Sequence, residues 1–132
     1  MQFSAFPIPK TISTGKYTFE VFDTPGYVKC HNVFFERNQG WLFSGDLYVS
    51  TKLKVCFFEV NKKQTIATIE KLLDLDFDTI FRAHSGVVEN GKVVLLNKLD
   101  FLKELQERFN ALCKQGLPIT KLTRCYIPIY RR

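Results

Sequence analysis

Two stretches of this chain carry apolar residues at helical spacing, and a stripe of that kind is stable in water only when something covers it. The first has Ile66, Ile69, Leu72 and Leu73 on one face, with Asn61 placed as N-cap and Gln64 three residues later in the capping-box position. The second runs from about Lys98 to Gln115 behind Asn97, with Leu102, Leu105, Phe109 and Leu112 on one stripe and Gly116 as terminator. Both need a sheet to pack on. Short runs with strand character supply one: Tyr17 to Asp23, Asn32 to Glu36, Trp41 to Ser44 and Thr79 to Ala83. The order of these runs gives an α/β chain.

Local chemistry sets the connections. Thr24-Pro25-Gly26 turns the chain after the first run, and Arg37-Asn38-Gln39-Gly40 is a polar, Gly-ended hairpin connection between the next two. Residues 1 to 16, with Pro7, Pro9 and Gly15, read as an extended entry segment rather than a helix. Residues 117 to 132 break the pattern, because Pro118 and Pro128 prevent a continuous helix and Ile127, Ile129 and Tyr130 lack helical spacing. The division is a domain over 1–116 and a basic tail of unassigned role over 117–132.

Composition excludes several function classes. With 45% hydrophobic and 14% aromatic residues, the 132-residue chain is too rich in bulky apolar groups to be disordered. Its formal charge of +6 is unevenly spread: all thirteen acids and fifteen of the nineteen bases fall in residues 1 to 116, so the body is nearly neutral. Only Lys62-Lys63 and Arg131-Arg132 are adjacent basic pairs, which is no stripe for a phosphate backbone, and no nucleic-acid partner is expected. No apolar run reaches the roughly 18 to 20 residues that span a bilayer, so no membrane partner is expected either. Cys30, Cys56, Cys113 and Cys125 form no Cys-x-x-Cys pair, and the N-terminus lacks the regions of a secretory signal, which makes a reducing cytoplasm the expected location.

The chemistry-bearing residues are few. The two histidines, His31 and His84, limit any multi-histidine metal site. His31 follows a Pro-Gly turn and begins a strand, Asp46 ends a strand after Gly45, and His84 ends a strand before Ser85-Gly86. All three stand where sheet meets loop, the place where α/β folds put their sites. The bland alternative makes Asp46 a loop cap, His84 an ordinary strand-end residue and His31 a surface residue. A Cys30–His31 thiol-imidazole pair is disfavoured, since neighbours on a strand point to opposite faces. There is no Gly-rich phosphate loop and no nucleophile elbow.

The run from Phe22 through Asp23-Thr24-Pro25-Gly26-Tyr27 to His31 and Phe35 resembles the segment Thr-Pro-Gly-His-x-x-x-His, followed by an apolar strand, of the metallo-β-lactamase-fold hydrolases. Leu42-Phe43-Ser44-Gly45-Asp46 is similar to that family's Leu-Phe-x-Gly-Asp strand end, and Arg82-Ala83-His84-Ser85-Gly86 to its later Gly-His-Gly element. Order and spacing agree over about residues 17 to 116. Each motif alone is weak, because such turns recur for conformational reasons; three in the right order carry more. The resemblance implies half of an αββα sandwich, the C-terminal half, with a mixed β-sheet and flanking helices.

The resemblance also implies zinc, in a two-metal site where Asp46 bridges the ions and His84 binds the second. Two departures weaken that implication. Tyr27 stands where the first histidine of the segment binds metal, and a neutral phenol is a poor substitute for imidazole. His31 aligns with the second histidine of that segment, usually not a ligand, and would compensate only if its loop shifted. The family's His-x-His-x-Asp-His cluster is absent from this chain, leaving Asp46 and His84 as metal residues with Tyr27 and His31 as neighbours, and no catalytic residue assigned. A catalytic zinc takes about three protein ligands and an open position. The expectation is a truncated hydrolase-fold protein, inactive alone, with zinc weakly bound or absent. Its partners would be a complementing N-terminal half or further copies of itself, because Phe34, Phe35, Trp41 and Phe43 suit burial on both sides of the sheet. The rivals are a small α/β interaction module without metal, and a hydrolase active only when a second chain completes it.

Overall fold

A computed structural model describes residues 6–25, 30–48 and 62–116, with the backbone alone at Lys62. Tyr27 and the tail over 117–132 therefore lie outside the described residues, as does Asn61, the expected cap of the first helix. The described elements are β1 (Thr11–Ser13), β2 (Thr18–Asp23), β3 (Asn32–Glu36), β4 (Trp41–Gly45), α1 (Lys62–Leu73), β5 (Thr79–Arg82), β6 (Gly86–Val88) and α2 (Gly91–Lys114). The six strands form one sheet in sequence order. β1 to β4 are an antiparallel meander, β4 pairs parallel with β5, and β5 pairs antiparallel with β6. The single parallel pair makes the sheet mixed, and a parallel pair needs a crossover, here the connection that contains α1.

Period-2 alternation separates the two faces. Val33, Phe35, Leu42 and Ile80 are fully buried and pack with Ile66, Ile69 and Leu72 of α1 and Leu95, Leu99 and Leu102 of α2. Each such buried side chain contributes roughly 2 kcal/mol of transfer free energy. The α1 and α2 stripes thus cover one and the same face. On the opposite face the register aligns Val21 with Phe34, Phe34 with Phe43, and Phe43 with Phe81. An aromatic set lies there: Phe43 stacks on Phe81 at 4.5 Å, Trp41 meets Phe81 edge-on at 5.7 Å, Tyr17 lies 5.2 Å from Trp41, and Phe19 meets Phe43 at 5.5 Å. None of these side chains belongs to the buried core, and no described helix contributes to this set. Among the described residues no helix is long and apolar enough to cross a membrane.

The structure adds β6 to the strands read from the sequence, and three further differences bear on the site and its surroundings. α2 begins at Gly91, seven residues before Lys98, so Asn97 is an interior residue and not a cap. Gly91 starts the helix because nothing larger fits: a Cβ there would lie 2.7 Å from Ile80 Cγ1 and 3.1 Å from the Asp78 carbonyl oxygen. The entry segment contributes β1, whose Thr11, Ile12 and Ser13 pair with Glu20, Phe19 and Thr18. Finally, the strand at Thr79 ends with Arg82, and His84 sits in the turn to β6 rather than on a strand end.

Candidate functional site

The loops at one end of β2, β4 and β5 converge around the turn after β4. Gly45 closes that strand with φ +53°, a left-handed conformation that glycine adopts without strain, and a Cβ on it would lie 3.0 Å from His31 Nε2. The turn is tight, with the Leu47 N–H donating to the Ser44 carbonyl at 3.0 Å. This swings Asp46 off the strand and leaves Leu47 and Tyr48 buried beneath it. Ala83 N–H donates to the Gly45 carbonyl at 3.3 Å, carrying the β5–β6 turn alongside. The side chains of Asp46 and His84 meet there, His84 Nε2 lying 3.1 Å from Asp46 Oδ1. With His84 73% exposed, such a pair adds little to stability.

His31 occupies the same end but does different work. The Asp46 backbone N–H donates to its Nε2 at 3.3 Å, so that nitrogen is the acceptor and the ring proton resides on Nδ1. Nδ1–H then donates to Thr24 Oγ1 at 2.7 Å, and the Thr24 hydroxyl donates onward to the His31 carbonyl at 3.1 Å. Thr24 N–H also donates to that carbonyl at 2.8 Å, which pins the chain leaving β2 to the chain entering β3. Burial pushes the imidazole pKa below its ordinary value, and the neighbouring Asp46 carboxylate partly opposes that. A neutral ring with its Nε2 lone pair given to a backbone amide is a brace for the Asp46 turn.

Of the residues singled out from the sequence, the structure brings Asp46, His84 and His31 together. Cys30 lies exposed in the turn before β3. Two residues of this corner escaped sequence reasoning. The sequence marks Thr24 as a turn former and a member of the Thr-Pro-Gly motif, whereas the structure makes its hydroxyl the partner of His31. Lys98 stands at a helix start in the sequence pattern, whereas in the structure its ammonium is buried and donates to the Leu47 carbonyl at 2.8 Å. The one signal available was its place on the apolar stripe between Leu95, Leu99 and Leu102.

Thr68 Oγ1 of α1 donates to the Pro25 carbonyl at 3.1 Å, tying the helix to this corner as well. Among the described residues no group of three His, Cys, Asp or Glu side chains could hold a metal ion. Asp46 and His84 offer two donors, against the roughly three protein ligands of a catalytic zinc. The described donor set does not by itself fit such an ion.

No family model matches the sequence, and no curated protein matches it. Solved structures do. A metallo-beta-lactamase family protein from Thermus thermophilus superposes with a TM-score of 0.69 at 18% identity, over 83% of this chain and 38% of that one. A beta-lactamase domain protein from Burkholderia ambifaria gives 0.68 at 13% identity, over 85% and 37%. The stereoselective inverting sec-alkylsulfatase Pisa1 from Pseudomonas sp. gives 0.69 at 16% identity, over 81% and 19%. At such identities the likeness is one of fold. The chain spans well under half the length of each of these three structures.

Proposed function

Because the chain has part of the metallo-β-lactamase fold, we propose that it is the portion of a metal-dependent hydrolase unit that carries Asp46 and His84, without hydrolase activity of its own. The observation that carries this reading is the convergence of Asp46 and His84, which follow the neighbouring strands β4 and β5, to 3.1 Å at one corner of the sheet. A carboxylate and an imidazole at that distance are two donors that one cation could share. Zinc is the ion the donor types would suit, yet two donors fall short of the roughly three that a catalytic zinc takes, so this corner alone would supply no low-pKa water as nucleophile. The remaining ligands would come from a complementing polypeptide segment. Tyr27, at the position of a histidine in the resembling motif, would leave even the completed set one imidazole short.

The test is zinc affinity and hydrolysis of a panel of esters and lactones. It compares the chain alone, the chain with a segment bearing the His-x-His-x-Asp-His cluster, and that pair carrying Tyr27→His. The chain alone should show no turnover, the pair should bind zinc more tightly, and Tyr27→His should tighten it further. Zinc-dependent turnover by the chain alone, abolished by His84→Ala, would overturn the proposal.

A second reading rests on the aromatic face of the sheet. Tyr17, Phe19, Trp41, Phe43 and Phe81 form a set of half-buried aromatic side chains outside the core, and a set of this kind, where nothing else covers it, mediates association. Under this reading the chain is a partner module, and the complementing segment or a second copy packs there.

A further inference from the structure

The Asp46 turn is braced on one side by His31 and on the other by a charge in the core. Lys98 lies on α2 among Leu95, Leu99 and Leu102, with 5% of the residue exposed. Its Nζ donates to the Leu47 carbonyl at 2.8 Å and stands 5.6 Å from the centre of the Tyr48 ring. No described carboxylate forms an ion pair with it. Burying an ammonium is costly, and a leucine or methionine would fill that position of the stripe at no such cost. The cost shows in the amine itself, whose pKa desolvation lowers from 10.5 to about 8. What Lys98 supplies and an apolar residue does not is a donor aimed at the backbone next to Asp46.

We propose that Lys98 is a positioning residue for Asp46. It fixes the Leu47 carbonyl and so holds residue Leu47, whose N–H closes the tight turn on the Ser44 carbonyl. Ser44 Oγ holds the next carbonyl, that of Tyr48, at 3.3 Å. With the peptides on the C-terminal side of Asp46 held in this way, its N–H stays on His31 Nε2 and its carboxylate stays against His84. Lys98 touches neither Asp46 nor His84, and acts on them through the backbone. The purpose of this brace rests on reading Asp46 and His84 as the metal-facing pair; its geometry does not.

The experiment uses the full chain labelled with ¹⁵N and reads two signals at neutral pH without metal. These are the hydrogen-exchange rate of the Asp46 and Leu47 amides, and the ring-nitrogen shifts of His31, which report whether Nε2 remains the acceptor. Lys98→Met should speed exchange at Asp46 and Leu47 at least tenfold relative to the Ile80 amide in the core, and should move the His31 nitrogens toward tautomer-averaged values. Lys98→Gln, which keeps a donor on a shorter arm, should recover part of both signals and supplies the comparison should the methionine variant fold poorly. Leu99→Ala, a core change of ordinary cost, should lower protection throughout without singling out Asp46. Unchanged Asp46 exchange and unchanged His31 nitrogens in both Lys98 variants would overturn the proposal. Because neither signal involves metal or turnover, failure of the zinc reading leaves this result standing, and failure here leaves the zinc reading to its own test.

Discussion

The buried ammonium of Lys98 should make the protein more stable as pH rises above neutrality, the reverse of what a lysine with a pKa raised by an ion pair does, such as Lys103 beside Glu70. Its folded-state pKa of about 8 lies below the unfolded value of 10.5 because burial penalises the charged form. Between these values the unfolded chain binds more protons than the folded one, so unfolding free energy increases with pH across that window and is flat below it. The full difference corresponds to ~3 kcal/mol, of which ~2 kcal/mol should be gained between about pH 7 and about pH 9.5. The quantity to measure is the difference between the protein and its Lys98→Met variant, which isolates this one amine. Urea unfolding at several pH values gives it, and ~2 kcal/mol moves the midpoint difference by roughly 1 M. Near pH 7 the variant sheds the cost of the buried charge but leaves the Leu47 carbonyl unpaired, itself ~1–3 kcal/mol, so the two proteins should be nearly equal in stability there. Parallel pH profiles for the two would show that the amine is hydrated in solution and would refute the reasoning.

Gly45→Ala should destabilise by ~2 kcal/mol or more, since the left-handed backbone costs ~1–2 kcal/mol for a non-glycine residue and the new methyl would press on His31 Nε2; thermal unfolding checks it, and a loss under ~0.5 kcal/mol would contradict it. The aromatic face should drive concentration-dependent association of the isolated chain, which sedimentation would detect and which Phe81→Lys should weaken; a compact monomer at every concentration would contradict it.

The elements most legible in the sequence were those whose side chains alternate or repeat on one face. β3 and β4 lie within a residue of the aromatic and aliphatic runs that mark them, and in the structure Val33, Phe35 and Leu42 fall on one buried face. α1 was equally plain from Ile66, Ile69 and Leu72. The start of α2 was hidden because it carries no side-chain cap bond and no acid in its first turn, and because Gly91, Val93 and Val94 have weak helix preference. What selects Gly91 is its close approach to Ile80 and Asp78, a tertiary fact invisible in a local window. β1 and β6 are three residues each, too short for periodicity to register. At the site, the convergence of Asp46 and His84 was legible through motif order, whereas Lys98 was not, since a lysine is read as exposed until its neighbours on the helix are known to be buried.

The two histidines illustrate why counting donors in a sequence overstates a metal site. His84 reaches the corner on an exposed turn, with its Nε2 on a carboxylate that a cation could share. His31 also contacts Asp46, yet its ring is committed at both nitrogens, to the Asp46 amide through Nε2 and to Thr24 through Nδ1. Recruiting His31 as a third ligand through Nε2 would release the Asp46 N–H, and through Nδ1 would release Thr24 and, with the proton moved to Nε2, the Asp46 N–H as well. Either route gives up bonds worth ~1 kcal/mol apiece and loosens the turn that aims Asp46. Under the proposed function, the same bonds that present Asp46 therefore hold the described part of the site at two donors, and a third must arrive from outside this corner.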